Sequence, residues 1–370
     1  LYDVAATYRM VGVAATGVIT AQVANSAAME SAFTGVERTV DLPLEKMEQL
    51  RSGLIDLSRT IPESFDDIAN IATIGGQLDV AGEHIEDFSK NVAMFAAMTD
   101  ASIDQTAMSF GRIDQLANAG AGSYDNIASA IYHVGVQTVA TESEILKMSE
   151  EISATAAIAG YTADEIIGLA GALSSLAVQP ERARGAMEQT FRAISDAVNN
   201  GGDKLQAFAN LSGQSADAFA EQWRSAPAEA FDAFIGGLSQ VSDFDGALNQ
   251  LGLSGLRVSD TLKRLANNQS VLTEAMGYAN SAWSDHTDYL GAYEMVADDL
   301  SSQMKMLVAD IRAIMDAMTD NAALTFFVEK LRDVLNVIYQ ITNNDFGKWV
   351  GAGVTALLGL VAAVTLVKAG

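Results

Sequence analysis

Signals that start and stop helices recur along this chain from about residue 40 to residue 285, and they leave little room for any fold other than an all-α one. Thr60 with Glu63, Ser102 with Gln105, Thr141 with Glu144 and Thr162 with Glu165 each fit the capping box. In that box a hydroxyl accepts from an early backbone N–H, and the side chain three residues on reaches back. Pro62 falls where a first-turn proline is tolerated. Stops are offered by Gly75-Gly76, Gly120-Ala121-Gly122, Gly160 and Asn199-Asn200-Gly201-Gly202. Between these signals apolar residues recur at helical spacing, as in Ile166, Ile167, Leu169, Ala170, Leu173, Leu176 and Ala177. No sustained alternation of Val, Ile or Thr calls for a strand, and only 4 prolines interrupt 370 residues.

The flanks have a different texture, and the chain divides into four parts. Residues 1–28 form an apolar, Ala-rich N-terminal helix with no charge between Arg9 and Glu30. Residues 29–289 are the array of short helices. Over 290–344 proline is absent and Gly291 and its neighbours lead into a long amphipathic helix. Met304, Leu307, Ile311, Ile314 and Met318 step by 3 and 4, as do Phe327, Leu331, Val334, Ile338 and Ile341. This is a coiled-coil-like seam in two blocks with the register interrupted between them. It predicts one helix of roughly 75–80 Å at ~1.5 Å per residue, bundled in a homo-oligomer. The fourth part, 345–370, is a hydrophobic helix. Its charge-free run from Trp349 to Val367 includes Leu357, Leu358, Leu360, Val361, Val364 and Leu366 and is flanked by Lys348 and Lys368. Length, flanking cations and the interfacial tryptophan are those of a transmembrane helix. The competing reading is a helix buried in an oligomer. A chain that opens on Leu1 and closes just after a hydrophobic run reads as a piece of a longer protein, and no signal peptide is evident.

The chemistry of sites is sparse. The net charge of −25 argues against specific nucleic-acid binding, which needs clustered Lys and Arg. The absence of cysteine removes disulfides and thiolate metal sites. His84, His133 and His286 have no zinc spacing. Asp285, His286 and Asp288 read as a polar helix boundary, and His133 as a structural histidine. Asp243-Phe244-Asp245-Gly246 matches only the start of a calcium loop and reads as a turn. Gly351-Ala352-Gly353 with Ala356 matches a dinucleotide string but follows no strand. The expectation is no catalytic residue, no metal and no cofactor.

Four ordered strings resemble the core of the bacteriophage tail tape measure family. They are Met29-Glu30-Ser31-Ala32-Phe33 with Val36; Ser64-Phe65-Asp66-Asp67-Ile68-Ala69 running into Gly75-Gly76-Gln77-Leu78, then Ile85 and Phe88; Ala157 to Thr162 with Ile166, Leu169, Leu173 and the Val178-Gln179-Pro180-Glu181 turn; and Leu251 to Arg257 with Leu262 and Leu265. The resemblance covers about residues 29–285. It implies a structural and assembly protein of the virion, several copies of which (three by analogy) lie in the tail-tube lumen or tip. Its partners would be tail-tube and tail-tip or baseplate proteins. It would help set tail length and leave ahead of DNA, entering the host envelope. It would be made in the host cytoplasm. The alternatives read from the residues are a membrane-active pore-former or secreted effector, and a helical scaffold of another kind.

Overall fold

A computed structural model describes residues 28–299 apart from Asn118 and Ala121, together with Ser302, Met306, Ala309, Asp310 and Ala313. Its regular structure there is helical, with no strand among the described residues. Helix α1 covers residues 28–39 and lays Met29, Phe33, Val36 and then Val40 against the body on one face. Helices α2 (Leu44–Thr60), α3 (Phe65–Gln77), α4 (Ile85–Met98) and α5 (Ile103–Ala117) follow, with a short 3-10 turn at Gly82–His84 before α4.

The centre is built from α6 (Tyr124–Gln137), α7 (Glu142–Ile158), α8 (Ala163–Ser175) and the much later α15 (Gln269–Ser284). Helix α8 is apolar on nearly every side: Ile166, Ile167, Leu169, Ala170 and Leu173 are fully buried, which is the environment such a helix requires. Its glycines decide how near the neighbours come. A Cβ on Gly168 would lie 2.6 Å from Met276 Cα in α15, and one on Gly171 would lie 2.3 Å from Val134 Cγ1 in α6.

Between α8 and α15 the chain makes a second group of helices: α9 (Pro180–Asn200), α10 (Gly202–Leu211), α11 (Ala216–Ser225), α12 (Pro227–Leu238), α13 (Phe244–Leu251) and α14 (Leu256–Asn267). This group joins the centre through α9 on α7 and through α12 and α14 on α15. Its interior is aromatic. Phe191 stacks on Tyr161 and meets Phe231 edge-on, while Phe208 lies against Phe219 and Phe234.

Many of the predicted boundaries form. Thr141 accepts from the Glu144 N–H and Glu144 returns a carboxylate to the Thr141 N–H at 3.1 Å. Glu165 does the same for Thr162 at 2.9 Å. Gly160 and Gly252 turn the chain with φ of 96° and 80°, a region costly for other residues. Others move. Thr60 is the last residue of α2 and its hydroxyl donates back to the Asp56 carbonyl, so it starts nothing. The cap of α3 is Ser64, which accepts from the Asp67 N–H at 3.1 Å. Ser102 accepts from the Gln105 N–H, but the Gln105 amide goes to the Ser143 carbonyl, so only half of that box forms. Gly75 and Gly76 lie inside α3, where they admit the Phe88 ring and Thr39 rather than ending the helix. Asp243 is the N-cap of α13, holding the Gly246 N–H at 2.9 Å, so the calcium-like string opens a helix.

The long helix expected from residue 290 is also interrupted. Helix α16 spans Thr287–Ala297 and closes on a turn at Asp298 and Asp299 before the described helical positions from Ser302 onward. Tyr289 is its anchor, fully buried with its hydroxyl directed at the Asn91 carbonyl.

Candidate interaction surfaces

The residues singled out in the sequence fall into two sets. The seam residues Met304, Leu307, Ile311, Ile314, Met318, Phe327, Leu331, Val334, Ile338 and Ile341 lie outside the described residues, as does the run from Trp349 to Val367. The positions that are described in this stretch are different ones. Ser302, Met306, Ala309, Asp310 and Ala313 are each in helical conformation. Ser302 and Ala309 are buried and the other three half-buried.

The histidines and their acidic neighbours sit around the turn between α15 and α16. His133 Nδ1 lies 3.1 Å from a carboxylate oxygen of Asp288, and its ring meets Tyr278 edge-on. His286 Nδ1 lies 3.5 Å from Asp125. Asp285 accepts from both the N–H and the hydroxyl of Thr287 at the start of α16. These are bonds that begin and seat a helix, as the reading of a polar helix boundary requires. Among the described residues no group of three or more His, Asp or Glu side chains is arranged to hold a metal ion.

Grooves open on the surface of the described residues. One, of about 290 Å³, lies between α7 and α9 and is lined by Ala154, Ile158, Phe191, Arg192 and Ser195. Ile158 projects beside it almost fully exposed, while Trp223 donates from below to the Ser195 hydroxyl at 3.1 Å. Another, of about 370 Å³, lies where Met98, Tyr132, Met295 and Val296 meet, with Asp299 and Ser302 on its rim. Val139 and Met295 are further large apolar side chains left in solvent. What these surfaces offer is apolar contact. No described helix is long and apolar enough to cross a membrane.

Sequence reasoning missed one contact that ties distant parts of the chain together. Arg59 at the end of α2 holds Asp310 at 2.6 Å across 251 positions.

The described residues form a helical body with apolar grooves and exposed aliphatic side chains on its surface. The phage-related minor tail protein family matches residues 51–252, just over half of the 370 residues, and the chain belongs to that family. It is a phage tail component, associated with the virion. No solved structure matches the chain.

Proposed function

We propose that this tail protein is a tape measure component: a structural and assembly element rather than an enzyme, lying in the tail-tube lumen with the described body towards the tip. The observation that carries the reading is the order of parts. A body of short helices, matched to the minor tail family, is followed in the sequence by the two-block seam from Met304 to Ile341. A broken array of helices has no constant rise per residue and makes a poor ruler. A seam of 3 and 4 steps makes an extended bundle of fixed rise. On this reading the body starts assembly against tip or baseplate proteins, and three copies of the seam associate inside the tube. The run from Trp349 to Val367 is packed in the particle and enters the host membrane when the protein leaves ahead of DNA; at ~1.5 Å per residue it would reach roughly 28 Å, close to a hydrocarbon core of ~30 Å.

Inserting two heptads between Met318 and Phe327 tests the measuring role. Tails should lengthen by roughly 21 Å, measured by electron microscopy of particles in which a label on the body appears at the tip end of the lumen. Tails of unchanged length, or a label outside the tube, would sink the reading. The membrane step is tested separately by placing a peptide of residues 345–370 in liposomes. A peptide that stays on the surface or unfolded removes that step and leaves the assembly role standing.

A further inference from the structure

We propose that the turn between α15 and α16 is a proton-sensitive latch: two histidine–aspartate pairs of opposite sense hold it on α6, and they grip when the imidazoles are charged. The proposal is independent of any measuring role and rests on side chains that meet across this turn.

One face of α6 supplies three contacts. Asp125, Ser129 and His133 follow one another at i, i+4 and i+8, which places them along one side of the helix. Each meets part of the turn. Asp125 Oδ2 lies 3.5 Å from His286 Nδ1, the buried Ser129 hydroxyl donates to the Asp285 carbonyl at 3.0 Å, and His133 Nδ1 lies 3.1 Å from Asp288 Oδ2. The two charged contacts are crossed: α6 gives the acid to one and the base to the other. Eight residues at ~1.5 Å each set them about 12 Å apart along α6, so they brace the turn on either side of the neutral Ser129 bond. That middle bond does not change with pH, whereas each flanking contact is an ion pair only when its imidazole is protonated. The histidine side chains are 20% and 26% exposed, against 69% and 43% for Asp288 and Asp125, so solvent screens the pairs in part and the effect is modest.

The surroundings are rich in acid. Asp285, the C-cap of α15, is held low first by the hydroxyl and N–H of Thr287, with His286 and His133 adding to the effect. From α4, Asp87 faces Asp125, with Lys90 and His84 acting on the same carboxyl. From α5, Asp114 accepts from the Tyr124 hydroxyl at the start of α6. From α7, Glu142 acts together with Asp288 on Tyr132. Tyr278 of α15 sets its ring edge-on to His133, and Tyr289 of α16 is buried with its hydroxyl directed at the Asn91 carbonyl. A proton added to either imidazole therefore enters a mainly negative neighbourhood. Histidine changes charge between about pH 5 and 8, while carboxyls ordinarily titrate near 4. The added attraction is complete on the acid side of histidine's range and is lost as pH rises through it. Tyr289 and Tyr293, which donates to the Thr60 carbonyl at 3.0 Å, seat α16 at either pH, so the latch tightens a seat that already exists.

Hydrogen–deuterium exchange on the full chain, read as protection relative to the intrinsic rate at each pH, tests this. From about pH 8 to about pH 5.5 the amides of α16 should gain roughly 2- to 5-fold in protection. His133→Gln and His286→Gln should each lose part of that gain, and the double variant all of it. Asp125→Asn and Asp288→Asn keep both imidazoles and alter the more exposed partners; together they should abolish the gain too, and they carry the test if a histidine variant fails to fold. A gain that persists in the double histidine variant or in the double aspartate variant belongs to Asp87, Glu142 or His84 and overturns the latch. Absence of any gain in the unmodified chain overturns it as well.

Discussion

The α8–α15 contact and the aromatic interior of α9–α12 solve the same packing problem in opposite ways. At α8 the helices come together because side chains are missing: Gly168 faces the Met276 backbone, Gly171 faces Val134, and Ala275 and Ala279 are fully buried alongside. Stabilisation there comes from closeness and from many small contacts. Around Phe191 the space is filled instead. Five of the chain's 14 phenylalanines, Phe191, Phe208, Phe219, Phe231 and Phe234, are buried in this one group, with Tyr161 and Trp223 completing the contacts. Aromatic rings bury large areas each and add edge-to-face attraction. The second group has close approaches of its own, Gly237 against the Leu211 carbonyl and Gly236 against the Gln269 amide, so the contrast is one of dominant strategy. It follows that the centre is vulnerable to added atoms and the aromatic group to removed ones.

The largest expected effect is in the aromatic group. Phe231→Ala removes a ring that is fully buried and touches Phe191 at a centroid distance of 5.4 Å. A loss of about 3–5 kcal/mol is expected in denaturant unfolding; a loss below ~1 kcal/mol would mean that the group collapses around the gap and is not filled by rings in the sense argued. Next comes Gly168→Ala, expected to cost about 1–3 kcal/mol although alanine favours helices. The obstructing atoms belong to the backbone of α15 at Met276, so no side-chain rotation relieves the contact. Smaller and opposite in sign is Gly277→Ala, one position further along α15, where nothing lies within 4 Å of the added Cβ. It should gain about 0.5–1 kcal/mol from helix propensity alone. Equal shifts for Gly168→Ala and Gly277→Ala would break the claim that the centre depends on close approach.

Helix content was legible because caps, glycines and apolar spacing agreed at most boundaries. Thr141 and Thr162 could be assigned from sequence since each is followed three residues on by a glutamate whose carboxylate accepts from its backbone N–H. Thr60 and Ser64 compete within five positions, and the bend at Ile61 and Pro62, which ends α2 and makes Ser64 the cap, is a tertiary matter. Gly75 and Gly76 carried the composition of a stop but serve the approach of Phe88 and Thr39, and only the neighbours distinguish those roles. The residues quoted for the tape measure resemblance include much of the core: Met29, Phe33, Val36, Ile68, Phe88, Leu169, Leu262 and Leu265 are all buried. A resemblance carried by packing residues speaks for the fold and leaves the partners to experiment. The Arg59–Asp310 contact could not be read locally, because a pair so far apart in sequence leaves no spacing to recognise.

The smallest expected effect concerns acid. Glu142 in the first turn of α7 and Glu165 in the first turn of α8 belong to the centre, Asp87 in α4 and Asp114 in α5 to helices packed beside it, and partial burial pushes each carboxyl above its ordinary value. Asp125 adds to the shift at Asp87. A carboxyl with a raised folded-state pKa binds more protons folded than unfolded in the interval between the two values. Its contribution to stability is therefore complete below the unfolded pKa and is lost as pH rises through the folded one. Asp100 runs the other way: burial opposes the shift, but the hydroxyl and N–H of Ser143 outweigh it and hold the carboxyl low. Its contribution is present above the unfolded pKa and is lost as pH falls through the folded value. Asp285 is held low as well, by the hydroxyl and N–H of Thr287. Four raised groups against these two predict a melting temperature that rises as pH is brought from 7 towards 5, by an amount of order 2 °C. Relief of repulsion among the 25 excess negative charges acts in the same direction. High salt separates the two, since it screens surface repulsion and leaves burial untouched. If the rise vanishes in 0.5 M salt, these half-buried carboxyls contribute nothing measurable. If it persists and Glu142→Gln reduces it, the close packing that shuts out side chains at Gly168 and Gly171 also excludes enough water to be felt by the acids around it.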